Sequence, residues 1–224
     1  MVFPSASPTI FSVNRYTNLY SFLYAFALHL PQIVDKAPMS LLREKILVAA
    51  SDLFQTRGIN STGVDTIVAT AGTTKMTLYK YFRSKEDLIL EVLKKGNQDF
   101  QDWLNARLAI NTRPSEKLQK LFDCIEEWVT APDFQGMAFI KASAEFPSED
   151  SAIHRLSAEQ SRQFRNYLAG LARDAGVKDA DGLALQLSLL IEGAMQAEQM
   201  KRGSGATAYA KQAAKILIDS ALKS

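Results

Sequence analysis

The sequence predicts an all-α protein, with a small N-terminal helical domain followed by a larger one. Apolar residues recur at the i, i+3, i+4, i+7 spacing of one helix face in successive segments from about residue 40 onward. Capping residues stand at the head of most of these segments, and Gly or Pro closes them. No stretch alternates apolar and polar with period two, as a half-buried strand would.

The order of elements begins after an unusual leader. Residues 1–38 carry only Arg15, Asp35 and Lys36 as charges. Their apolar run Leu19–Leu30 is 12 residues long, short of the roughly 20 that a bilayer-spanning helix needs. We read residues 1–38 as an N-terminal extension, disordered or upstream of the true start, with Met39 as the first residue of the domain. No membrane association is expected.

In Ser40–Arg57, Ile46, Ala49, Ala50, Leu53 and Phe54 form one face, with Ser40 as the expected N-cap and Gly58 as the C-terminal stop. Thr62-Gly-Val-Asp65 reads as a cap with a carboxylate three residues on, opening a short helix that Ala71-Gly72 ends. Thr73 or Thr74 caps the next, which runs to about Lys80. Ser84-Lys-Glu-Asp87 opens a long helix carrying Leu88, Val92, Leu93, Phe100 and Leu104. Pro114 starts another, Ala131–Gly136 is a loop, and a short helix from Met137 stops before Pro147. Longer helices follow over Asp150–Ala175, Asp179–Arg202 and Ala206–Leu222. The expected division is a small helical domain over 39–86 and a larger helical domain over 87–224.

Composition bounds the chemistry. With 224 residues, 47% hydrophobic and 22% charged, the chain has the balance of a globular protein. A formal net charge of +2 is too small to make it a polycation, so any nucleic-acid grip must be local. Such a concentration exists. Between Thr73 and Lys85 stand Lys75, Lys80, Arg83 and Lys85 with no acid among them. Thr73, Thr74, Thr77, Tyr79 and Tyr81 are interleaved, and their hydroxyls can donate to phosphate oxygens. Two short helices with a Gly-containing turn, buttressed by a preceding amphipathic helix, form a helix-turn-helix. Its second helix lies in the major groove. Thr62 as a cap and Lys85 at the head of the long helix are each expected to meet a phosphate. Thr73, Thr74, Lys75 and Met76 start the recognition helix, where Lys75 could reach guanine O6/N7.

The run Ile46…Ala49-Ala50…Leu53-Phe54…Gly58…Thr62-Gly-Val-Asp-Thr-Ile67-Val-Ala-Thr-Ala71-Gly72, then Thr77-Leu78-Tyr79-(x)-Tyr81-Phe82-(x)-Ser84-Lys85, resembles the DNA-binding domain of the TetR family of repressors. By that resemblance Thr62, Tyr79 and Lys85 fall on phosphate-contacting positions, and Thr74, Lys75, Met76 and Lys80 face the groove. The residues Gly63 and Met76 depart from the family pattern, so no base preference transfers. The resemblance implies a homodimer on a palindromic double-stranded operator, built from the last two helices, with a small-molecule effector. Leu183, Leu187, Leu190, Ile191 and Ala194 form an apolar stripe that Leu185 and Leu189 widen. The last helix offers Ala206, Ala210, Ala213, Ala214, Ile216 and Leu217.

For an apolar pocket with a few polar groups, the candidates are Cys124, Trp128, Phe139, His154, Phe164, Tyr167, Glu192, Met195 and Gln196. Glu192 stands out as a carboxylate between Ile191 and Gly193 that either needs a partner or a cationic ligand, or faces solvent. The lone Cys124 permits no internal disulfide and no multi-cysteine metal site, and fits a cytoplasmic protein. No cofactor is expected. Gly203-Ser-Gly205 imitates a dinucleotide fingerprint without a preceding strand, so it reads as an interhelix turn. Asn60-Ser-Thr62 matches a glycosylation acceptor, without meaning in a cytoplasmic chain. No paired catalytic motif supports an enzyme. A DNA-binding activator or architectural protein without an effector stays open beside the ligand-responsive repressor.

Overall fold

The computed structural model describes residues 38–109, 113–132 and 134–223. The expectations for residues 1–37, including the run Leu19–Leu30, lie outside the described residues. Among these residues the regular structure is entirely helical. The order is α1 (Pro38–Arg57), α2 (Val64–Ala71), α3 (Lys75–Tyr81), α4 (Lys85–Leu108), α5 (Pro114–Thr130), α6 (Ala138–Glu145), α7 (Ala152–Asp174), α8 (Ala180–Met200) and α9 (Ala206–Ala221).

Local chemistry sets most boundaries. Thr74 Oγ1 accepts from Thr77 N at 3.2 Å, and Ser84 Oγ from Asp87 N at 3.0 Å, so α3 and α4 start where their caps stand. Asp179 Oδ1 accepts from Gly182 N at 3.0 Å and opens α8. Gly72, at φ 64°, closes α2 in the left-handed region, and Thr73 N then donates to Val68 O. Two expected caps fail. Helix α1 already begins at Pro38, so Ser40 lies in its first turn instead of preceding it. Helix α2 is capped by Gly63 without any side-chain bond, because Thr62 is committed elsewhere.

Two cores form. The first gathers Ile46, Leu53, Phe54, Ile67, Leu78, Phe82 and Leu88 from α1–α4, together with Ala142 of α6 and Ile153 of α7. The second gathers Leu118, Leu121, Leu168, Leu187, Ile191 and Ile218 from α5 and α7–α9. Helix α4 serves both, through Leu88, Ile89 and Leu93 near its start and Leu104 and Leu108 at its end. Gln160 on α7 ties the two regions by donating to Leu93 O at 3.0 Å. The first core is therefore not closed by α1–α3 alone. It is roofed by residues more than fifty positions downstream, which no local pattern announces.

Candidate nucleic-acid interface

The scaffold under the basic cluster is built from the α1–α2 turn. Gly58 takes φ 86°, a conformation that costs an L-residue steric strain. Thr62 is 1% exposed, and its hydroxyl donates to Gly58 O at 2.7 Å, with Leu53 O at 3.3 Å. That contradicts its expected role: the side chain locks the turn from inside and presents no hydroxyl to a phosphate. Asp65, expected to complete a capping box, instead pairs with Lys75 across the helix-turn-helix at 2.8 Å.

Helix α3 lies on this scaffold with Leu78 fully buried, while Phe82 just past its end is 2% exposed. The opposite face carries Thr74, Lys75, Met76, Tyr79 and Lys80, all exposed, with Met76 at 84%. Thr73 and Thr77 are half-buried at the edge, and Thr77 Oγ1 lies 3.1 Å from Thr74 Oγ1. Tyr81, expected to offer its hydroxyl to phosphate, is half-buried with its ring against the first core.

Lys85 is a second correction. Its Nζ donates to Ile59 O at 2.7 Å, and the side chain is half-buried. Burial lowers the ammonium pKa below the usual lysine range, with Glu145 opposing that shift. The first turn of α4 carries Glu86 and Asp87, and the Lys85 ammonium itself is used as a staple.

Sequence reasoning missed the residues that meet this staple. At the end of α6, Glu145 Oε1 accepts from Ile59 N at 2.9 Å and Oε2 from Asn60 N at 2.7 Å. Asn60 Nδ2 returns a bond to Glu145 O at 3.2 Å, and Lys141 Nζ donates to Gln55 O at 3.2 Å. The spacing of Lys141 and Glu145 looks like a solvated i, i+4 pair; their partners lie 85 and 86 residues away.

The other face of α6 borders a cavity of about 640 Å³ between α6, α7 and α8. Of the expected pocket residues, Phe139, His154, Glu192, Met195 and Gln196 line it. Cys124, Trp128, Phe164 and Tyr167 do not. Trp128 meets Phe100 at a tilt, 4.8 Å between centroids, and Phe134 edge-on at 5.1 Å, and Phe164 sits edge-on to Phe100 at 6.0 Å, in and against the second core. Cys124 is buried there too, and desolvation raises its thiol pKa. Tyr167 turns away to donate to Asn105 Oδ1 at 2.9 Å. Ser143, Ser157 and Ser161 join the lining, unanticipated because single serines within helices carry no signal. A shallow groove between α8 and α9 holds Leu189, Gly193, Tyr209 and Ala213. Leu185, Leu189, Tyr209 and Ile216 are 49%, 60%, 72% and 70% exposed around it.

Among the described residues no group of His, Cys, Asp and Glu could hold a metal ion, and no helix is long and apolar enough to cross a membrane.

Residues 46–92 match the sequence model of the bacterial regulatory proteins of the tetR family. The transcriptional repressor KstR2 of Mycolicibacterium smegmatis is 40% identical over 84 residues, covering 36% of this chain and 39% of that protein. The chain thus spans well under half of this relative's length. The transcriptional activator FasR of the same organism is 27% identical over 153 residues, covering 61% of this chain and 70% of that protein. The fold extends further than these matches. The crystal structure of SCO4454, a TetR-family transcriptional regulator from Streptomyces coelicolor, superposes with a TM-score of 0.77 and 26% identity, covering 82% of this chain and 97% of that one.

Proposed function

This chain belongs to the TetR family of bacterial regulatory proteins, and from that premise we propose that it is a cytoplasmic homodimeric repressor, released from a palindromic operator by a small molecule. The exposed face of α3 is the observation that carries the DNA half of this reading. Lys75, Met76, Tyr79 and Lys80 project from a helix whose other side is anchored by Leu78 and, just beyond its end, Phe82. Such a face reads a major groove: cations meet phosphates or guanine edges, and Met76 meets a thymine methyl. Thr73, Thr74, Thr77 and Tyr79 add hydroxyl donors at its margins.

The effector half rests on α6. Its Phe139 and Ser143 face the cavity, while its Lys141 and Glu145 grip the α1–α2 turn that carries the helix-turn-helix. A ligand that shifts α6 must either move that turn or break its hydrogen bonds. Two half-sites one helical turn apart require both recognition helices in register, so a small displacement is enough for release. The apolar α8–α9 face supplies the dimer contact.

FasR is named an activator, and the same interface serves an activator equally well. The direction of regulation is read by transcription from the chain's own promoter with and without the protein. The central test is binding of the purified full chain to that promoter by fluorescence anisotropy across a salt series. Binding in the range of about 10⁻⁸ M or tighter, weakening steeply with salt, is expected. Lys80→Ala should flatten the salt dependence by roughly one phosphate's worth, a slope change near 0.9. Failure to retain any palindromic promoter fragment at moderate ionic strength overturns the reading.

A further inference from the structure

We propose that the cavity between α6, α7 and α8 selects ligands rich in hydrogen-bond donors, an amphiphilic protonated amine above all, with the Glu192 carboxylate as counter-ion. The inference rests on the effector reading above and narrows it to a chemical class.

Several polar groups of the cavity present acceptors inward. Ser157 Oγ donates to Ile153 O at 2.8 Å and Ser143 Oγ to Ile140 O at 2.9 Å, so both hydroxyl protons are spent on helix carbonyls. What these serines offer inward is lone pairs. His154 Nδ1 lies 2.9 Å from Phe146 O. A carbonyl only accepts, so Nδ1 is a protonated nitrogen, and that donor is spent on the backbone. Glu192 completes the set. It is half-buried on the cavity wall and, among the described residues, has no hydrogen bond or ion pair. Burial raises its carboxyl pKa, and the charge of Arg165 only partly opposes that. A carboxylate held this way gains most from an incoming cation.

The one cation on the lining is Lys141, and its ammonium is directed out of the cavity, to Gln55 O at 3.2 Å, with Glu145 beside it in charge. Gln196 and Gln199 are neutral and serve either polarity. Phe139 and Met195 supply the apolar wall, and the half-open cavity of about 640 Å³ has room for a drug-sized molecule. An anionic ligand would meet a wall of acceptors and a like charge.

The test uses three probes of one shape: 6-phenylhexylamine, 6-phenylhexan-1-ol and 6-phenylhexanoate, titrated calorimetrically into the full-length protein. The amine should bind at least tenfold more tightly than the alcohol, and the acid weakest. Glu192→Gln should bring the amine down to the alcohol's level, while Glu192→Asp keeps part of the preference; thermal melts of both variants establish that they fold. Equal binding of the three probes, preference for the acid, no binding at millimolar concentration, or an amine preference that survives Glu192→Gln overturns the proposal. So does a Glu192→Gln protein that loses its dimer but keeps the amine preference, since the carboxylate then belongs to the subunit contact. Operator release is followed in parallel. Amine binding without release sinks the effector reading and leaves the ligand class standing, whereas release by the acid alone does the reverse.

Discussion

Lys75 has two partners to choose between. Its ammonium sits 2.8 Å from Asp65, with the two side chains 55% and 80% exposed. The hydrogen bond to Asp65, and then its charge, raise the lysine pKa, so Lys75 stays protonated at any physiological pH. An ion pair this open contributes little to the fold, so trading Asp65 for a phosphate or a guanine edge costs little. Asp65 then acts as a placeholder that keeps Lys75 extended across the face of α3. Removing it should release the cation to DNA and also take a negative charge away from the duplex. Asp65→Asn is expected to tighten operator binding by about two- to fivefold, an effect of the size exposed pairs have, and to leave the thermal midpoint nearly unchanged. Anisotropy against the promoter fragment measures it. Weaker binding would mean that Asp65 positions Lys75 productively instead of holding it back. Thr62 shows the opposite case, a polar residue that looks available in the sequence and is spent in the fold. Its hydroxyl has two carbonyls within reach and almost no solvent, so Thr62→Val should be read as a stability mutation before it is read as a DNA-contact mutation.

Helix ends separate what the sequence makes legible from what it hides. The cap at Ser84, and Thr74 as one of the two candidate caps for α3, were readable because donor and acceptor lie three residues apart. The helical faces were readable because Ile46, Leu53, Leu187 and Ile191 repeat with the helix period. Half of the cavity was not, because periodicity tells which face of a helix is apolar but not which neighbour it meets: Trp128 and Phe139 look alike until α5 and α6 are placed. Glu145 was hidden for the same reason, as was Glu198 near the end of α8. Glu198 is 2% exposed; its Oε2 accepts from Gly203 N at 2.8 Å and Ser204 N at 3.3 Å, and its Oε1 from Gly205 N at 2.9 Å and Ser204 Oγ at 2.7 Å. Burial pushes this carboxyl pKa up, but the bonds from Ser204, Gly203 and Gly205 outweigh it and hold the pKa below the usual glutamate range. A group with a lowered folded pKa stabilises fully above its unfolded value, near 4.3, and loses that contribution as pH falls through the folded value. Glu198→Gln should therefore cost on the order of 2 kcal/mol at pH 7, as for hydrogen bonds to a charged group. The gap to the parent protein should narrow at about pH 3, below that reference value. Denaturant unfolding at both pH values checks it. A gap independent of pH would show that the charge of Glu198 is not what holds the α8–α9 turn.

Four large apolar side chains of α8 and α9 are left exposed. Leu185 and Leu189 of α8 and Tyr209 and Ile216 of α9 stand out around a groove of about 570 Å³ floored by Gly193, Ala210 and Ala213. Buried counterparts on the same helices, Leu187, Ile191, Ala214 and Ile218, already complete the second core. The exposed set is thus surplus to the protomer's own packing. Each large apolar side chain left in water forfeits roughly 1.5–3 kcal/mol that burial would return, although association costs absorb much of this. Small residues along the groove let a second pair of helices approach closely, and a two-fold arrangement buries the same patch on both copies. The double variant Leu189→Glu, Ile216→Glu places like charges on both sides of that contact. It is expected to sediment as a monomer. Its thermal midpoint should no longer rise with protein concentration, as that of a protein stabilised by its own dimerisation does. Operator affinity should fall by about 10²–10⁴, the factor gained when two recognition helices are tied together on adjacent half-sites. Both charged positions are exposed in the protomer, so helical content and the second core should survive. A variant that stays dimeric would place the subunit contact on another face. One that becomes monomeric with unchanged operator affinity would mean that each protomer reads its half-site alone, and that α6 then has no spacing between recognition helices to control.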